Sequence, residues 1–144
     1  MAISSFAGKK ILFGVCGGIA AFKAAGWVSS LRKEDAHVTV IMTEAGTRFV
    51  APLTFAALSG NRVYSSLFDS TQEEKIPHIS LARDADLIIV APATAQTISK
   101  LAHGQAADLL STVILATRAP VVLFPSMNSK MYNHSATQNN LARV

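Results

Sequence analysis

Short apolar runs that each break into a helix-opening loop constrain this chain most. Residues 10–15 (KILFGV), 37–42 (HVTVIM), 86–90 (DLIIV) and 119–124 (APVVLF) have the length of strands and little polar alternation. Strands of that kind are buried on both faces, as in a parallel sheet covered by helices. The run at 119–124 is read in the same way. Strands alternating with helices imply right-handed crossovers. The expected fold is therefore α/β: a doubly wound, Rossmann-like open parallel sheet in three layers. In such a sheet ligands bind in the loops beyond the carboxyl ends of the strands. The loop 125–132 (PSMNSKMY) is one of them.

Helical segments fall between these runs. Ile19, Phe22, Trp27 and Leu31 recur at helical spacing with alanines between, and Arg32 and Lys33 suit the negative end of that helix. Thr43-Glu44-Ala45 reads as a cap and a helical turn. Residues 52–59 form a helix stopped by Gly60. Residues 62–68 fit either a strand or an extended loop, and 69–75 a polar surface loop. Further helices are expected at 77–83, 98–102, 107–117 (with Asp108 at its positive end) and 135–143. No linker or repeat divides the 144 residues, so one domain is expected.

Composition narrows the function classes. Half of the residues are hydrophobic and 15% are charged, a balance that points to subunit interface. The net charge of +4 is scattered, without the basic stripe and interleaved aromatics of a nucleic-acid binder, and it suits an anionic small ligand. One cysteine, Cys16, excludes an intrachain disulfide and fits a reducing, cytoplasmic compartment. Lys9-Lys10 before an apolar stretch resembles a signal peptide, but Gly14, Gly17, Gly18 and Lys23 fit a strand, loop and helix better. No run of 18 apolar residues predicts a membrane span.

Four loops could carry chemistry. Gly14, Gly17 and Gly18 lie between the first strand and the first helix, where backbone N–H groups can bind an anion. Their spacing is that of neither the dinucleotide fingerprint nor the nucleoside-triphosphate loop, so a single phosphate or simple tight packing is expected. Thr94, Gln96 and Thr97 either bind phosphate or a ring edge, or cap a helix. His78 precedes an apolar helix and serves as a base or as a surface histidine. Asn128 and Met131 share a face if a helical turn starts there; the Asn128 amide would hold a carboxylate or an amide, or cap the turn. Cys16 is a nucleophile or, more in keeping with its small size, a packing residue. His37, His103 and His134 have no metal-ligand spacing, and no metal is expected.

In order and spacing these motifs resemble the flavin-containing cysteine decarboxylases, a group within the flavoprotein superfamily. The likeness rests on 17–23 (GGIAAFK), 42–45 (MTEA), 78–81 (HISL), 85–87 (ADL), 91–95 (APATA), and 125–128 (PSMN) with Met131-Tyr132. It is strongest to the branch that acts on (R)-4'-phospho-N-pantothenoylcysteine in coenzyme A biosynthesis. The resemblance implies FMN at the boundaries of a homo-oligomer, a trimer or a dodecamer built from trimers. It surrounds the FMN with Gly17, Gly18, Ile19, Thr43, Glu44, Ala45, Thr94, Ala95, Gln96, Thr97 and Ser126, with Arg83 beside the flavin. It makes His78 and Asn128 catalytic and places Asn128 and Met131 against the substrate. Flavin oxidation would give a thioaldehyde, whose C=S takes up the electrons left as CO2 departs; the reduced flavin would return its electrons to yield 4'-phosphopantetheine.

The sequence departs from the family pattern at Ser126, Gln96 and Cys16, where alanine, asparagine and serine or threonine are usual. The family's substrate-covering flap, which carries a cysteine, lies beyond the position matching Val144, as does the synthetase domain of bifunctional members. The expectation is thus a single FMN-binding domain over 1–144 without flap or synthetase. The alternatives are a non-catalytic or truncated FMN-binding subunit, a peptidyl-cysteine decarboxylase, and a flavin prenyltransferase.

Overall fold

A computed structural model of the chain describes residues 5–68 and 77–144. The expected surface loop at 69–75 lies outside them. Four strands, β1 (Lys10–Val15), β2 (His37–Met42), β3 (Leu87–Ala93) and β4 (Val121–Pro125), form one parallel sheet in the order β2-β1-β3-β4. The helices are α1 (Ala21–Lys33), α2 (Glu44–Thr47), α3 (Pro52–Ser59), α4 (Pro77–Asp84), α5 (Ala95–Ala102), α6 (Leu109–Ala116), α7 (Ser129–Asn133) and α8 (Ser135–Arg143). The α/β doubly wound expectation holds, with helices on both faces of the sheet.

Alternate residues of each strand supply the two cores. Phe13, Val15, Val38, Val40, Met42 and Ile89 pack on one face with Ala21, Ala24 and Val28 of α1 and Phe55 of α3. Leu12, Ile41, Ile88 and Val90 pack on the other with Ala82, Ile98, Leu109, Leu110 and Val113. Each such aliphatic or aromatic side chain contributes about 1.5–3 kcal/mol when fully buried. Gly14 lets α6 close onto β1, because a Cβ there would stand 2.7 Å from the Leu110 side chain.

Three expectations are corrected. The run at 119–124 is not buried on both faces. β4 pairs with β3 alone among the described strands, and Val122 and Phe124 are each 41% exposed. On that side the Trp27 ring lies edge-to-face on Phe124 at 4.8 Å and on Phe13 at 6.4 Å. In α1 Trp27 touches Phe13 and Phe124 and Leu31 packs against the core, but Ile19 and Phe22 of the apolar series do not face the sheet. Ala21, Ala24 and Val28 do, and small side chains let the helix lie close, leaving Phe22 61% exposed; Ile19, just before α1, is 77% exposed. The third strand does not stop at 90: β3 continues through Ala93, past a cis Ala91–Pro92 peptide and a shift in register, and α5 begins at once at Ala95. Residues 62–68 resolve to an extended loop, with Tyr64 bridging Ile41 and the Arg62 guanidinium 4.9 Å from the Tyr64 ring.

Candidate functional site

The strand order turns back between β1 and β3: from β1 the chain moves outward to β2, then crosses to β3 on the other side. The crevice beyond the carboxyl ends of these two strands is the expected ligand position in a sheet of this order. Gly18, after β1, faces Thr94, after β3, and a Cβ on Gly18 would still be 3.9 Å from Thr94 Cγ2. The Thr43 N–H donates to Val15 O at 3.0 Å, which brings the α2 turn beside the glycine loop. Gly17 packs on Ala45 too closely for any Cβ, and a Cβ on Gly46 would approach Val15 O at 2.6 Å. The Ser126 N–H donates to Ala93 O at 3.1 Å and draws in the loop after β4. Gly17, Gly18, Ile19, Thr43, Glu44, Ala45, Thr94, Ala95, Gln96, Thr97 and Ser126 therefore share one edge of the sheet.

The donors on this edge fit a phosphate group. α1 has no side-chain cap at Ala20 and no acidic residue in its first turn. Among the described residues, no backbone acceptor takes the N–H of Ile19 or Ala20. An uncapped helix start of 13 residues suits a phosphate, through its free N–H groups and its dipole. The threonines also cap: Thr43 Oγ1 accepts from Gly46 N at 3.1 Å and Thr94 Oγ1 from Thr97 N at 3.3 Å. The Thr94 hydroxyl donates to the Thr97 hydroxyl at 3.3 Å.

Cys16 is buried behind this edge. Burial pushes its thiol up, against weaker opposing hydrogen bonds involving Thr97 and Thr94. A thiol held protonated is a packing residue, not a nucleophile. Nearby, Lys100 Nζ lies 2.9 Å from Asp108 Oδ2. Burial disfavours the Asp108 charge, but hydrogen bonds from Lys100 and Ser111 outweigh it and hold the carboxyl below its usual value.

The remaining predicted residues are spread more widely. His78 is half-buried in the first turn of α4. That helix runs back toward the start of β3, so its first turn is the end nearer the crevice. Arg83 sits at the other end, exposed and bonded to Asp84 at 2.9 Å. It lines a groove of about 610 Å³ with Asp86 and Arg118, and the fold does not bring it to the glycine loop of its own chain. Asn128 caps α7, its Oδ1 accepting from Lys130 N at 2.9 Å, and Met131 and Tyr132 are exposed on the same short helix. His134 caps α8 through Nδ1, and His103 Nδ1 meets Ser99 O at 2.8 Å. Another cavity, of about 510 Å³, opens near the amino ends of β1 and β2 beside Lys10, His37, Arg62 and Asp84, away from the crevice. It lacks the convergent loops, so the crevice is the candidate site. Sequence reasoning missed Gly46 and Lys100. Gly46 was legible as a glycine in a first helical turn, whereas Lys100 and Asp108 lie on different elements and leave no periodic signal.

A parallel sheet with phosphate donors at the reversal of its strand order defines a nucleotide-cofactor-binding α/β protein. The chain belongs to the flavoprotein family, whose model, described as "Flavoprotein", matches residues 4–144. It is 49% identical over 142 residues to the coenzyme A biosynthesis bifunctional protein CoaBC of Vibrio vulnificus, covering 99% of this chain and 35% of that protein. To CoaBC of Escherichia coli it is 52% identical over 137 residues, covering 95% and 34%. The chain thus spans about a third of the length of these relatives. Among solved structures, the FMN-dependent cysteine decarboxylase SpaF superposes with a TM-score of 0.91 at 29% identity, covering 96% of this chain and 80% of SpaF. A PPC decarboxylase mutant complexed with pantothenoylaminoethenethiol gives 0.81 at 26%, covering 94% and 76%. No helix among the described residues is long and apolar enough to cross a membrane.

Proposed function

We propose that the crevice binds FMN and that the protein decarboxylates (R)-4'-phospho-N-pantothenoylcysteine to 4'-phosphopantetheine in the cytoplasm. The observation that carries this reading is the meeting of the glycine loop, the Thr43 turn and the Thr94 loop at the β1/β3 reversal, in a chain about half identical to CoaBC proteins. When bound, FMN supplies a reversible two-electron oxidation of the substrate's cysteine moiety.

The chain's own groups bind and orient. The free N–H groups at Ile19 and Ala20 receive the FMN phosphate. Thr43 to Ala45 and Thr94 to Thr97, with Ser126, wall the ring. The Asn128 Oδ1 is occupied by the Lys130 N–H, so its NH2 remains to donate to the substrate carboxylate. Met131, one turn on, offers an apolar surface beside it. His78 takes or orients the thiol proton. Arg83, remote from its own crevice, serves the flavin of a neighbouring copy, in keeping with a trimer or dodecamer whose subunit boundaries hold FMN. Its exposed apolar residues Ile19, Phe22, Val122 and Phe124 fit such boundaries.

The test is direct. The purified protein is reconstituted with FMN, titrated by flavin fluorescence, and assayed for CO2 release from the phosphorylated substrate. Retained FMN with loss of CO2 release in His78→Asn supports the reading. Protein that cannot be reconstituted with FMN sinks it. FMN binding without CO2 release favours a binding subunit. Release from a peptide ending in cysteine, but not from the phosphorylated substrate, favours a peptidyl-cysteine decarboxylase.

A further inference from the structure

α5 carries the Thr94–Thr97 wall of the crevice at its amino end and is only eight residues long. A helix that short has little stability of its own, so its neighbours set its placement. Thr97 and Ile98 are buried, and Lys100 follows one turn beyond Thr97. Lys100 Nζ meets Asp108 Oδ2 at 2.9 Å, with side chains only 19% and 27% exposed. The other Asp108 oxygen accepts from Ser111 N at 2.8 Å and from Ser111 Oγ at 2.7 Å, while Asp108 N donates to Ser111 Oγ at 3.1 Å. One carboxylate thus closes the capping box of α6 and grips α5. α6 is itself seated on β1, with Leu110 in the space left by Gly14. Cys16, one residue past β1, is buried in the same cluster as Ile98 of α5 and Leu109 and Leu110 of α6.

We propose that the Lys100–Asp108 ion pair is a positioning device: it transmits the place of β1, through the cap of α6, to α5, and so fixes Thr94–Thr97 opposite Gly18 without touching the flavin. The proposal rests on reading the crevice as the flavin site. An exposed ion pair would be nearly silent, but a partly buried one leaves an uncompensated charge when one partner is removed. Displacement of a binding wall by about 1 Å can cost a large factor in function.

Lys100→Met, Asp108→Asn, the double variant and Lys100→Arg test it. Asparagine still caps α6, so Asp108→Asn removes the pair's charge without unfolding the helix. FMN affinity is read by fluorescence titration, and α5 placement by the labelling rate of Cys16 with a disulfide reagent in the flavin-free protein. The single variants are expected to weaken FMN about tenfold or more and to speed Cys16 labelling by about as much. The double variant, which leaves no uncompensated charge, should be milder than the worse single one, and Lys100→Arg should stay near wild type in both readouts. Loss of affinity that follows the melting temperature alone, without rescue by arginine, overturns the proposal, as do unchanged labelling rates. If wild type binds FMN and Lys100→Met binds it equally well, the positioning role fails while the flavin site stands. If wild type does not bind FMN, both fall.

Discussion

Gly17 is pressed against Ala45 so closely that a methyl group at 17 would overlap the Ala45 side chain and come within 2.8 Å of its carbonyl carbon. That contact joins the loop after β1 to the turn after β2. Gly18, its neighbour, has open space on the crevice side. The two glycines should therefore fail differently. Gly17→Ala should cost about 1–3 kcal/mol of stability by overpacking and weaken FMN as the loops part. Gly18→Ala should change stability by less than about 0.5 kcal/mol, yet still weaken FMN by intruding on the crevice. Urea unfolding beside FMN titration separates them; equal loss of stability in both would contradict this geometry.

Cys16 gives a pH signature. Its thiol is pushed up by burial from the ordinary value of 9.0. A raised pKa in the folded state contributes stability that is fully present below the unfolded value and lost as pH rises through the folded one. Stability should therefore fall above about pH 9, and Cys16→Ala should flatten that part of the profile relative to wild type. Other groups titrate there as well, so the difference between the two proteins is the measurement. The folded protein should also resist alkylation at pH 8 and react once unfolded. Fast alkylation of the folded form would restore the nucleophile reading.

Local chemistry made much of the fold legible. KILFGV and HVTVIM became β1 and β2 with the expected bounds, the helix at 52–59 stopped at Gly60, whose φ is 71°, and the last helix spans Ser135–Arg143. Thr43, Thr94, Asp108 and Asn128 are all caps, because a short polar side chain before a helix has few other ways to satisfy its amides. What depended on partners was not legible. An apolar run such as VVLF reads alike in a central and an edge strand, since burial is decided by what pairs beyond it. The α1 periodicity marked bulky residues, yet the alanines between them face the sheet. Arg83 was correctly set on a helix, but its end of the sheet follows from the crossover. Lys100 and Asp108 meet only because α5 and α6 fold together.

The half-covered side of β4 separates stability from assembly. Trp27 touches Phe13 and Phe124 within one chain, while Phe22 and Val122 face outward. Trp27→Ala should cost about 1–3 kcal/mol, less than for a fully buried ring. Phe22→Glu and Val122→Lys should leave the monomer's unfolding within about 0.5 kcal/mol. If this surface lies between copies, they should also lower the mass measured by light scattering. Unchanged mass in both would put the subunit boundary elsewhere.

Asn128 separates a cap from a clamp. Its Oδ1 accepts the Lys130 N–H and its backbone carbonyl accepts from Tyr132 N at 3.0 Å, so α7 depends on the residue while its NH2 does not take part. Aspartate caps as well as asparagine, so Asn128→Asp should leave stability within about 0.5 kcal/mol of wild type. It replaces a donor with a second negative charge, however, and a substrate carboxylate would then be repelled. CO2 release should drop about a hundredfold or more, with FMN still bound. Asn128→Ala should lose both functions: about 1 kcal/mol from the cap, and the donor to the carboxylate. Asn128→Gln, which keeps the amide on a longer arm, should fall between them in rate. Full turnover by Asn128→Asp would show that the amide is only a cap, and the carboxylate would have to be held elsewhere on the crevice.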